Sequence, residues 1–272
     1  MSSPTEGRRT TVRDFAQRRA RGEKLVVVTA YDALFGRLVD EAGVDAILVG
    51  DSLGNVVAGL DSTIGVTLDQ MIYHATMVRR GAPKALVIVD MPFLTYQVSV
   101  EDAVRNCGRA VQESGAQAVK VEGGDDGIAA VVRAVVRLGV PVMGHVGFTP
   151  QSVHTLGGYR VQGRDENAAA RVLDEARRLE DAGAFSVVLE LVPAELAARV
   201  TEALTIPTIG IGAGAGCSGQ VLVLPDLLGL NDQFAPKFLK RYGSMADDVR
   251  GAVRRFATEV RDGSYPDADH SF

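Results

Sequence analysis

The chain contains no tryptophan, only two cysteines, and 6% aromatic residues among its 272 residues. Cys107 and Cys217 stand alone in the sequence, without the paired spacing of a zinc site or of a disulfide framework. We therefore interpret both as small, reduced side chains that pack in the interior. This interpretation leaves cysteine chemistry out of the candidate site.

Long apolar runs and a net positive charge are also missing. No apolar run approaches the roughly 18 residues that a membrane-spanning helix needs. Acidic residues, among them Asp14 and Glu23, interrupt the basic N-terminal region, which argues against a targeting peptide. The formal net charge of −5 gives no electrostatic reason to bind nucleic acid or an anionic membrane. We expect a cytoplasmic protein that acts on small molecules, with neither nucleic acid nor a membrane as partner.

A repeated pattern of apolar runs and helical segments begins at Leu25. Each short run rich in Val, Ile and Leu is followed by a polar or glycine-containing break and then by a segment of helical periodicity, as in βαβ units. Runs that are apolar on both faces are typical of a parallel sheet covered by helices. The eight predicted strands are Leu25–Thr29, Ala46–Val49, Ala85–Val89, Ala118–Val121, Val140–Gly144, Ser186–Leu189, Thr208–Ile211 and Gln220–Val223.

Helical segments alternate with these strands, and a further one precedes them. Thr11 and Asp14 have the spacing of a capping box, and apolar Val12 and Phe15 follow one stripe, so we predict a short amphipathic helix before strand one. Eight βα units in about 250 residues fit one α/β domain, a (β/α)8 TIM barrel over residues 1–272, better than an open doubly wound sheet. The other predicted helices are Ala33–Glu41, Leu68–Arg80, Val100–Ser114, Ile128–Leu138, Glu166–Asp181, Ala194–Ala203 and Ala246–Val260.

The stretch Val119–Gly124 places an ammonium and a carboxylate two residues apart in an otherwise apolar predicted strand. At strand periodicity Lys120 and Glu122 point to the same side. Burying two charges costs several kcal/mol unless they pair with each other, bind a metal or meet an ionic ligand. A salt bridge at the end of a sheet is the structural alternative to a functional site.

Acidic residues stand at the carboxyl ends of three consecutive predicted strands. In a TIM barrel the functional groups lie at that end, so closure would bring Asp51, Asp90 and Glu122 within a few ångströms of one another. Their mutual repulsion then requires a cation, and all-oxygen ligands suit Mg²⁺, which keeps several waters, so some of the three can act through water. A helix cap or a loop hydrogen bond is the alternative for Asp51 and Asp90.

His145 and Glu190 follow the next two predicted strands. Glu190 is one strand further from the acidic cluster than His145, which leaves it available as a base. His145 has the alternative role of a hydrogen-bonded core histidine. No paired-histidine or cysteine pattern for zinc accompanies them.

Long motifs are distributed over essentially the whole chain. They are Thr29-Ala30-Tyr31-Asp32, Val49-Gly50-Asp51-Ser52-Leu53-Gly54, Arg79-Arg80-Gly81-Ala82-Pro83, Val119 to Gly124, GHVGFTPQSV from Gly144, GGYRVQGR from Gly157, Glu190 with Val192-Pro193, IPTIGIGAG from Ile206, and His270-Ser271-Phe272. With these motifs the chain resembles the ketopantoate hydroxymethyltransferase family. Two local departures are Leu60, where the family often has a polar residue, and Ser218, which replaces a common acidic residue. We expect both to affect only the loops over the site.

The resemblance implies a TIM-barrel enzyme that transfers a hydroxymethyl group from 5,10-methylenetetrahydrofolate to 3-methyl-2-oxobutanoate. The product is 2-dehydropantoate, in the first committed step of pantothenate biosynthesis. The resemblance further implies Mg²⁺ as cofactor, the folate as one-carbon co-substrate, and a homo-oligomer, which is a decamer in many bacterial members. The implied reaction removes the C3 proton of the keto acid and passes through an enolate that Mg²⁺ stabilises by Lewis-acid catalysis.

The resemblance also assigns roles to the polar residues at the strand ends. The implied magnesium ligands are Asp51, Asp90 and Glu122. The implied keto-acid contacts are Asp51, Ser52, Asp90 and Lys120. Glu190 matches the family's proton acceptor, Lys120 supplies a point charge near the substrate, and His145 falls on a further active-site position.

Two other functions are open to a barrel with this charged rim. A magnesium-dependent C–C lyase or mutase on the same barrel plan would share the fold and the metal, which alone cannot distinguish it from a transferase. A binding or scaffolding protein that has kept the barrel without its chemistry would be expected to lose the charges at the strand ends first. Here those charges are present, and the length of the motifs favours transfer.

Overall fold

A computed structural model of the chain describes residues 8–272. Its eight strands pair in parallel and in chain order, and β8 closes the sheet against β1, so the fold is the predicted (β/α)8 TIM barrel. Each apolar run therefore became a strand, and β2 to β7 are covered on both faces, whereas Val26 of β1 and Gln220 of β8 are exposed. The strands are β1 Leu25–Thr29, β2 Ala46–Val49, β3 Leu86–Asp90, β4 Ala118–Lys120, β5 Val142–Gly147, β6 Ser186–Glu190, β7 Thr208–Ile211 and β8 Gly219–Leu222.

Helices alternate with the strands as the periodicity predicts, and short helical turns in the loops add to them. The first helix begins with the predicted capping box, in which the Asp14 carboxylate accepts a bond from the Thr11 backbone N–H at 2.7 Å. The helices are α1 Val12–Ala20, α2 Ala33–Glu41, α3 Leu53–Val56, α4 Leu68–Gly81, α5 Val100–Ser114, α6 Asp126–Leu138, α7 Val153–Leu156, α8 Glu166–Asp181, α9 Ala194–Ala203, α10 Leu224–Leu227 and α11 Met245–Asp262. Single 3₁₀ turns occupy Thr63–Gly65, Pro150–Ser152 and Ala268–His270.

The apolar core of the barrel lies at the amino ends of the strands. Phe15 of α1 is fully buried and packs with Leu25 and Val27 of β1, and its ring meets that of Phe185 edge to face at 5.5 Å. Helix α1 thus fills the end of the barrel opposite the strands' carboxyl ends. The remaining members of this core are Ala46, Leu48, Leu86, Ile88, Ala118, Met143, Val188, Ile209 and Val221.

Five strands differ from the prediction in one or both of their boundaries. The largest difference is β5, which was predicted from Val140 and begins at Val142. The backbone N–H of Val140 instead donates to Val135 O as the chain leaves α6 through the left-handed Gly139, and Pro141 has no N–H for a sheet bond. Strand β5 also ends later than predicted, at Gly147 and not at Gly144, so His145 lies inside the strand. The other differences, in β3, β4, β6 and β8, amount to one residue at a boundary.

The chain divides into two compact units, of which the first ends at Val223 and contains the barrel. The second unit spans Leu224–Phe272 and contains α10 and α11. The prediction of one domain over residues 1–272 therefore stays a prediction, and its residues 1–7 lie outside the described part of the chain. None of the helices within residues 8–272 is long and apolar enough to cross a membrane.

Glycines let α2 and α4 approach closely, which yields a prediction for stability. A Cβ at Gly81 would lie 2.2 Å from Ala33 O, whereas a Cβ at Gly108 in α5 would meet only Leu138 at 3.6 Å, an ordinary contact. We expect Gly81→Ala to lower the free energy of unfolding by about 1–3 kcal/mol because the helices must move apart. The control Gly108→Ala should raise it by about 0.5–1 kcal/mol through helix propensity. Urea unfolding monitored by circular dichroism measures both changes, and equal stability of the two variants would contradict the close approach.

Candidate active site

Strand periodicity aims the predicted polar residues into the barrel. Ile88 and Ala118 are members of the apolar core. Asp90 lies two residues after Ile88, and Lys120 lies two residues after Ala118. Because side chains two apart on a strand point to the same face, the core positions continue as charged positions toward the carboxyl ends. The same spacing links Met143 to His145. The sequence thus builds an apolar barrel interior with a charged layer above it.

Three carboxylates of this layer form one buried cluster. Asp51, Asp90 and Glu122 are only 3%, 3% and 5% exposed. Each offers an oxygen within 4.8 Å of the others. Burial and the neighbouring Asp90 carboxylate raise the pKa of Asp51 well above its usual range. Without a cation, the closeness of the three carboxylates therefore disfavours the state in which all three are ionised. A site that binds a cation is expected to show this property.

Lys120 is tied to this cluster through Asp90. The register of β3 and β4 sets Asp90 opposite Lys120, and the ammonium Nζ donates to both carboxylate oxygens at 2.7 and 2.8 Å. Glu122 Oε1 lies further away, at 3.5 Å from Nζ. Burial lowers the pKa of Lys120, but the carboxylates of Asp90 and Glu122 outweigh this effect and raise it. These carboxylates therefore favour the charged form of Lys120, and its main partner is Asp90 on the neighbouring strand β3.

His145 lies between two carboxylates. Its Nδ1 is 3.5 Å from Glu122 Oε1 and its Nε2 is 3.3 Å from Glu190 Oε2. Neither contact meets the geometry of a hydrogen bond within the described residues. Burial and the Lys120 ammonium lower the pKa of His145, but the two carboxylates outweigh them and raise it to about 9. His145 is thus no simple core histidine, because it connects the acidic cluster to Glu190.

Glu190 ends β6 and is set apart from the cluster. Its side chain is 16% exposed, against 3–4% for Glu122 and Asp90. Gly147, opposite it on β5, has a left-handed φ of 94°, and a Cβ there would lie 2.4 Å from Glu190 O. The next residue, Phe148, donates its backbone N–H to the same oxygen at 2.8 Å. The turn after β5 therefore fixes the backbone that carries Glu190 at the open end of the barrel.

Ser52 follows Asp51 at the start of α3. Its hydroxyl lies 2.9 Å from the hydroxyl of Tyr31, a residue just beyond β1. Ser52 is half-buried, so it borders the cluster without being sealed from the solvent. Apart from His145, which lies inside β5, the residues predicted for the site stand at or just after the carboxyl ends of β2, β3, β4 and β6.

Gln151 and Tyr96 are buried polar residues that the sequence analysis did not assign to the site. Gln151 Nε2 donates to Asp51 Oδ2 at 2.9 Å, and the Gln151 backbone N–H donates to Glu122 Oε2 at 3.0 Å. The Tyr96 hydroxyl donates to Gln151 Oε1 at 2.8 Å. Gln151 stands in the motif GHVGFTPQSV, but an uncharged residue after a strand has no spacing that signals such a contact. Only the fold reveals it.

The residues present fit a divalent cation. Glu122 Oε1 is buried and has no hydrogen-bond partner among residues 8–272, a costly condition for a carboxylate oxygen. The candidate ligands are all oxygens, the donor set that Mg²⁺ prefers over soft metals. A cation here would also offset the repulsion among the three carboxylates.

Comparison with known proteins matches residues 9–268 to the family described as ketopantoate hydroxymethyltransferase. The chain belongs to this family. The resemblance inferred from the motifs is therefore confirmed, and the chain is an enzyme of a hydroxymethyltransferase family.

Relatives in the ketopantoate hydroxymethyltransferase family match over full length. The chain is 53% identical over 272 residues to a 3-methyl-2-oxobutanoate hydroxymethyltransferase of Syntrophus aciditrophicus, with 100% of both chains covered. It is 54% identical over 265 residues to the protein of the same name from Pelobacter propionicus, with 97% of this chain and 98% of the relative covered.

Solved structures outside the ketopantoate hydroxymethyltransferase family share only its fold. A 2,3-dimethylmalate lyase, described as a member of the PEP mutase/isocitrate lyase superfamily, superposes with a TM-score of 0.59 at 20% identity, covering 93% of this chain and 89% of its own. A phosphonopyruvate hydrolase in complex with oxalate and Mg²⁺ gives 0.61 at 12% identity, with 96% and 93% covered. At these identities the likeness is one of barrel architecture.

One of the two departures from the family motifs lies away from the site. Ser218 precedes β8, and its hydroxyl accepts bonds from Arg19 of α1 at 2.9 Å and from the Thr208 N–H at the start of β7 at 3.3 Å. It therefore stands at the amino-terminal end of the barrel, and the expectation that it affects loops over the site is wrong. Leu60 lies between α3 and the Thr63–Gly65 turn and is 40% exposed.

Proposed function

We propose that the chain transfers a hydroxymethyl group from 5,10-methylenetetrahydrofolate to C3 of 3-methyl-2-oxobutanoate, giving 2-dehydropantoate for pantothenate biosynthesis. Its full-length relatives, named after the same keto acid, support this proposal. The observation that carries it is the division of the buried charges into two groups. A carboxylate cluster with Lys120 can bind a cation and an anionic substrate, whereas Glu190 stands apart as a base.

Asp51, Asp90 and Glu122 would hold Mg²⁺ in this proposal. When bound, the ion supplies Lewis acidity that stabilises negative charge on a 2-oxo oxygen. The cluster is buried, so interactions with a developing charge are stronger there than in water. Lys120 adds a fixed positive charge from the same layer, and Asp90 holds that ammonium through two bonds.

The substrate's carboxylate and 2-oxo group would lie beside the Lys120 ammonium and the cation that Asp90 and Asp51 would hold, with the half-buried Ser52 hydroxyl at their edge. This placement turns C3 of the keto acid toward β6, where Glu190 accepts its proton. His145, in contact with both Glu122 and Glu190, keeps positive charge between the two groups. The resulting carbanion then attacks the one-carbon unit carried by the folate and forms the new bond to C3. The bonds between that carbon and the folate nitrogens break, water supplies the hydroxyl oxygen, and tetrahydrofolate leaves.

An assay of folate-dependent 2-dehydropantoate formation tests this function. The purified chain is incubated with 3-methyl-2-oxobutanoate, 5,10-methylenetetrahydrofolate and Mg²⁺, and the products are separated by chromatography with mass detection. Product that requires the folate supports the transferase. Cleavage of a 2-hydroxy or 2-oxo diacid without folate would identify the lyase or mutase alternative, and binding without turnover would identify a protein that has lost its chemistry.

We expect Lys120 to act as a charge and not as an imine-forming nucleophile. Its ammonium donates to both oxygens of Asp90, and a protonated lysine has no lone pair for attack on a ketone. Borohydride added during turnover with the keto acid should therefore leave the mass of the protein unchanged. A mass increase that peptide mapping assigns to Lys120 would contradict this role. A class I aldolase treated in parallel with its own substrate controls for the trapping chemistry.

We further propose a homo-oligomer, such as a decamer, in the cytoplasm. These proposals rest on the family membership. Size-exclusion chromatography with light scattering gives the mass in solution, and a mass near 28.8 kDa would identify a monomer instead.

A further inference from the structure

The side-chain amide of Gln151 is buried, and all of its hydrogen-bonding capacity is used. Its Nε2 donates to Asp51 Oδ2 and to Met91 O, both at 2.9 Å. Its Oε1 accepts from the Tyr96 hydroxyl at 2.8 Å and from Gln97 Nε2 at 3.0 Å. An amide with two donors and two accepted bonds has no freedom to turn, because the reverse orientation would set its oxygen against two acceptors.

The backbone of the same residue reaches a second carboxylate. The N–H of Gln151 donates to Glu122 Oε2 at 3.0 Å, and the Glu122 N–H donates to the Tyr96 hydroxyl at 3.0 Å. Gln151 therefore binds one oxygen of Asp51 and one oxygen of Glu122, residues from two different strand ends. The other oxygen of Glu122, Oε1, is the one without a hydrogen-bond partner in the described chain.

A neutral donor has an advantage over a charged one at this position. Two carboxylates held close together repel each other. A lysine or an arginine in place of Gln151 would hold them together, but it would also bring the positive charge that a metal would otherwise supply. An amide and a backbone N–H restrain both carboxylates by hydrogen bonds without adding a charge. Outer partners of this kind fix the orientation of metal-binding side chains.

We propose that Gln151, held in place by Tyr96, is a positioning residue that sets the spacing of Asp51 and Glu122 and turns one Glu122 oxygen toward a divalent cation. This inference rests on the metal role proposed above for the cluster. It extends the site to the Pro150–Ser152 turn and to the segment between β3 and α5, neither of which supplies a ligand to the cluster.

The test uses Mn²⁺ alone, without substrate, because Mn²⁺ shares the preference of Mg²⁺ for oxygen ligands and its free form is measured by electron paramagnetic resonance. Gln151→Met keeps the length of the side chain and the backbone N–H but removes the amide. We expect the Kd for Mn²⁺ to rise about 10–100-fold, the usual cost of losing an outer partner of a metal ligand. Tyr96→Phe should raise it by a smaller factor, and the double variant should raise it by less than the product of the two.

Gln117→Met is the matched control. Gln117 also makes two side-chain bonds, to Val87 N–H and to Gly115 O, but it touches no carboxylate of the cluster. Both glutamine variants can lower the melting temperature of the metal-free protein, whereas only Gln151→Met should weaken Mn²⁺ binding. A Kd within about twofold of the wild-type value in Gln151→Met, or an equal rise in Gln117→Met, would overturn the positioning role.

Two further outcomes separate this inference from the metal proposal. A wild-type chain that binds no Mn²⁺ would overturn both. Wild-type binding with unchanged affinity in the Gln151 variant would overturn this inference alone and leave the proposed function standing. If Gln151→Met does not fold, Tyr96→Phe decides the question, because it removes only the hydroxyl that orients the amide and binds the Glu122 N–H.

Discussion

Replacing Glu190 by glutamine is expected to slow proton abstraction from C3 of 3-methyl-2-oxobutanoate by about 10²–10⁴-fold, the usual contribution of a general base. Glutamine keeps the volume of the side chain and an oxygen near His145 Nε2, but it removes the basic carboxylate. Because Glu190 lies outside the acidic cluster, Mg²⁺ and keto-acid affinity should remain close to the wild-type values. Exchange of the C3 hydrogen in deuterated water, followed by NMR without folate, isolates this step.

The control for this experiment is Glu195→Gln, the same change at an exposed position in the first turn of α9. It should exchange the C3 hydrogen at the wild-type rate. The decisive adverse result would be wild-type exchange in Glu190→Gln, because another group would then have to be the base. His145, whose Nε2 lies 3.3 Å from the Glu190 carboxylate, would be the first to examine.

The second large effect is expected from Asp90→Asn, which should weaken Mg²⁺ binding by at least about 100-fold. The loss should exceed that of an outer partner because Asp90 is a proposed ligand. Asparagine also leaves the Lys120 ammonium without its closest anionic partner. The positive charge of the ammonium is then less well neutralised and repels a cation at the neighbouring site. Titration calorimetry with Mg²⁺, with and without the keto acid, measures the change.

Asp126→Asn makes the same substitution at a side chain that is 96% exposed and should leave Mg²⁺ affinity unchanged. Circular dichroism establishes that the Asp90 variant is folded, which matters because breaking a buried ion pair costs about 3–5 kcal/mol. For a folded Asp90→Asn protein, unchanged affinity for both Mg²⁺ and keto acid would remove Asp90 from the ligand set. Glu122→Gln, which keeps Asp90 with Lys120, then shows whether the rest of the cluster binds the ion.

Much of the candidate site follows from local sequence pattern. Lys120 and Glu122 were expected to share one side of a strand, and their charged groups do lie 3.5 Å apart. The acidic residues Asp51 and Asp90 were expected to meet because parallel strands end together, and they do so in the closed barrel. These inferences hold because a period of two and the direction of a strand depend only on the backbone of that strand.

By itself, then, the sequence determined the eight strands, the faces that carry the charges and the family of the enzyme. The tertiary structure alone decided which charges pair: Lys120 with Asp90 across β3 and β4, and His145 with both Glu122 and Glu190. It also decided that Gln151 bonds to Asp51, 100 residues earlier in the chain. Such contacts depend on strand register and on the path of loops after the strands, which no periodicity within a single segment specifies.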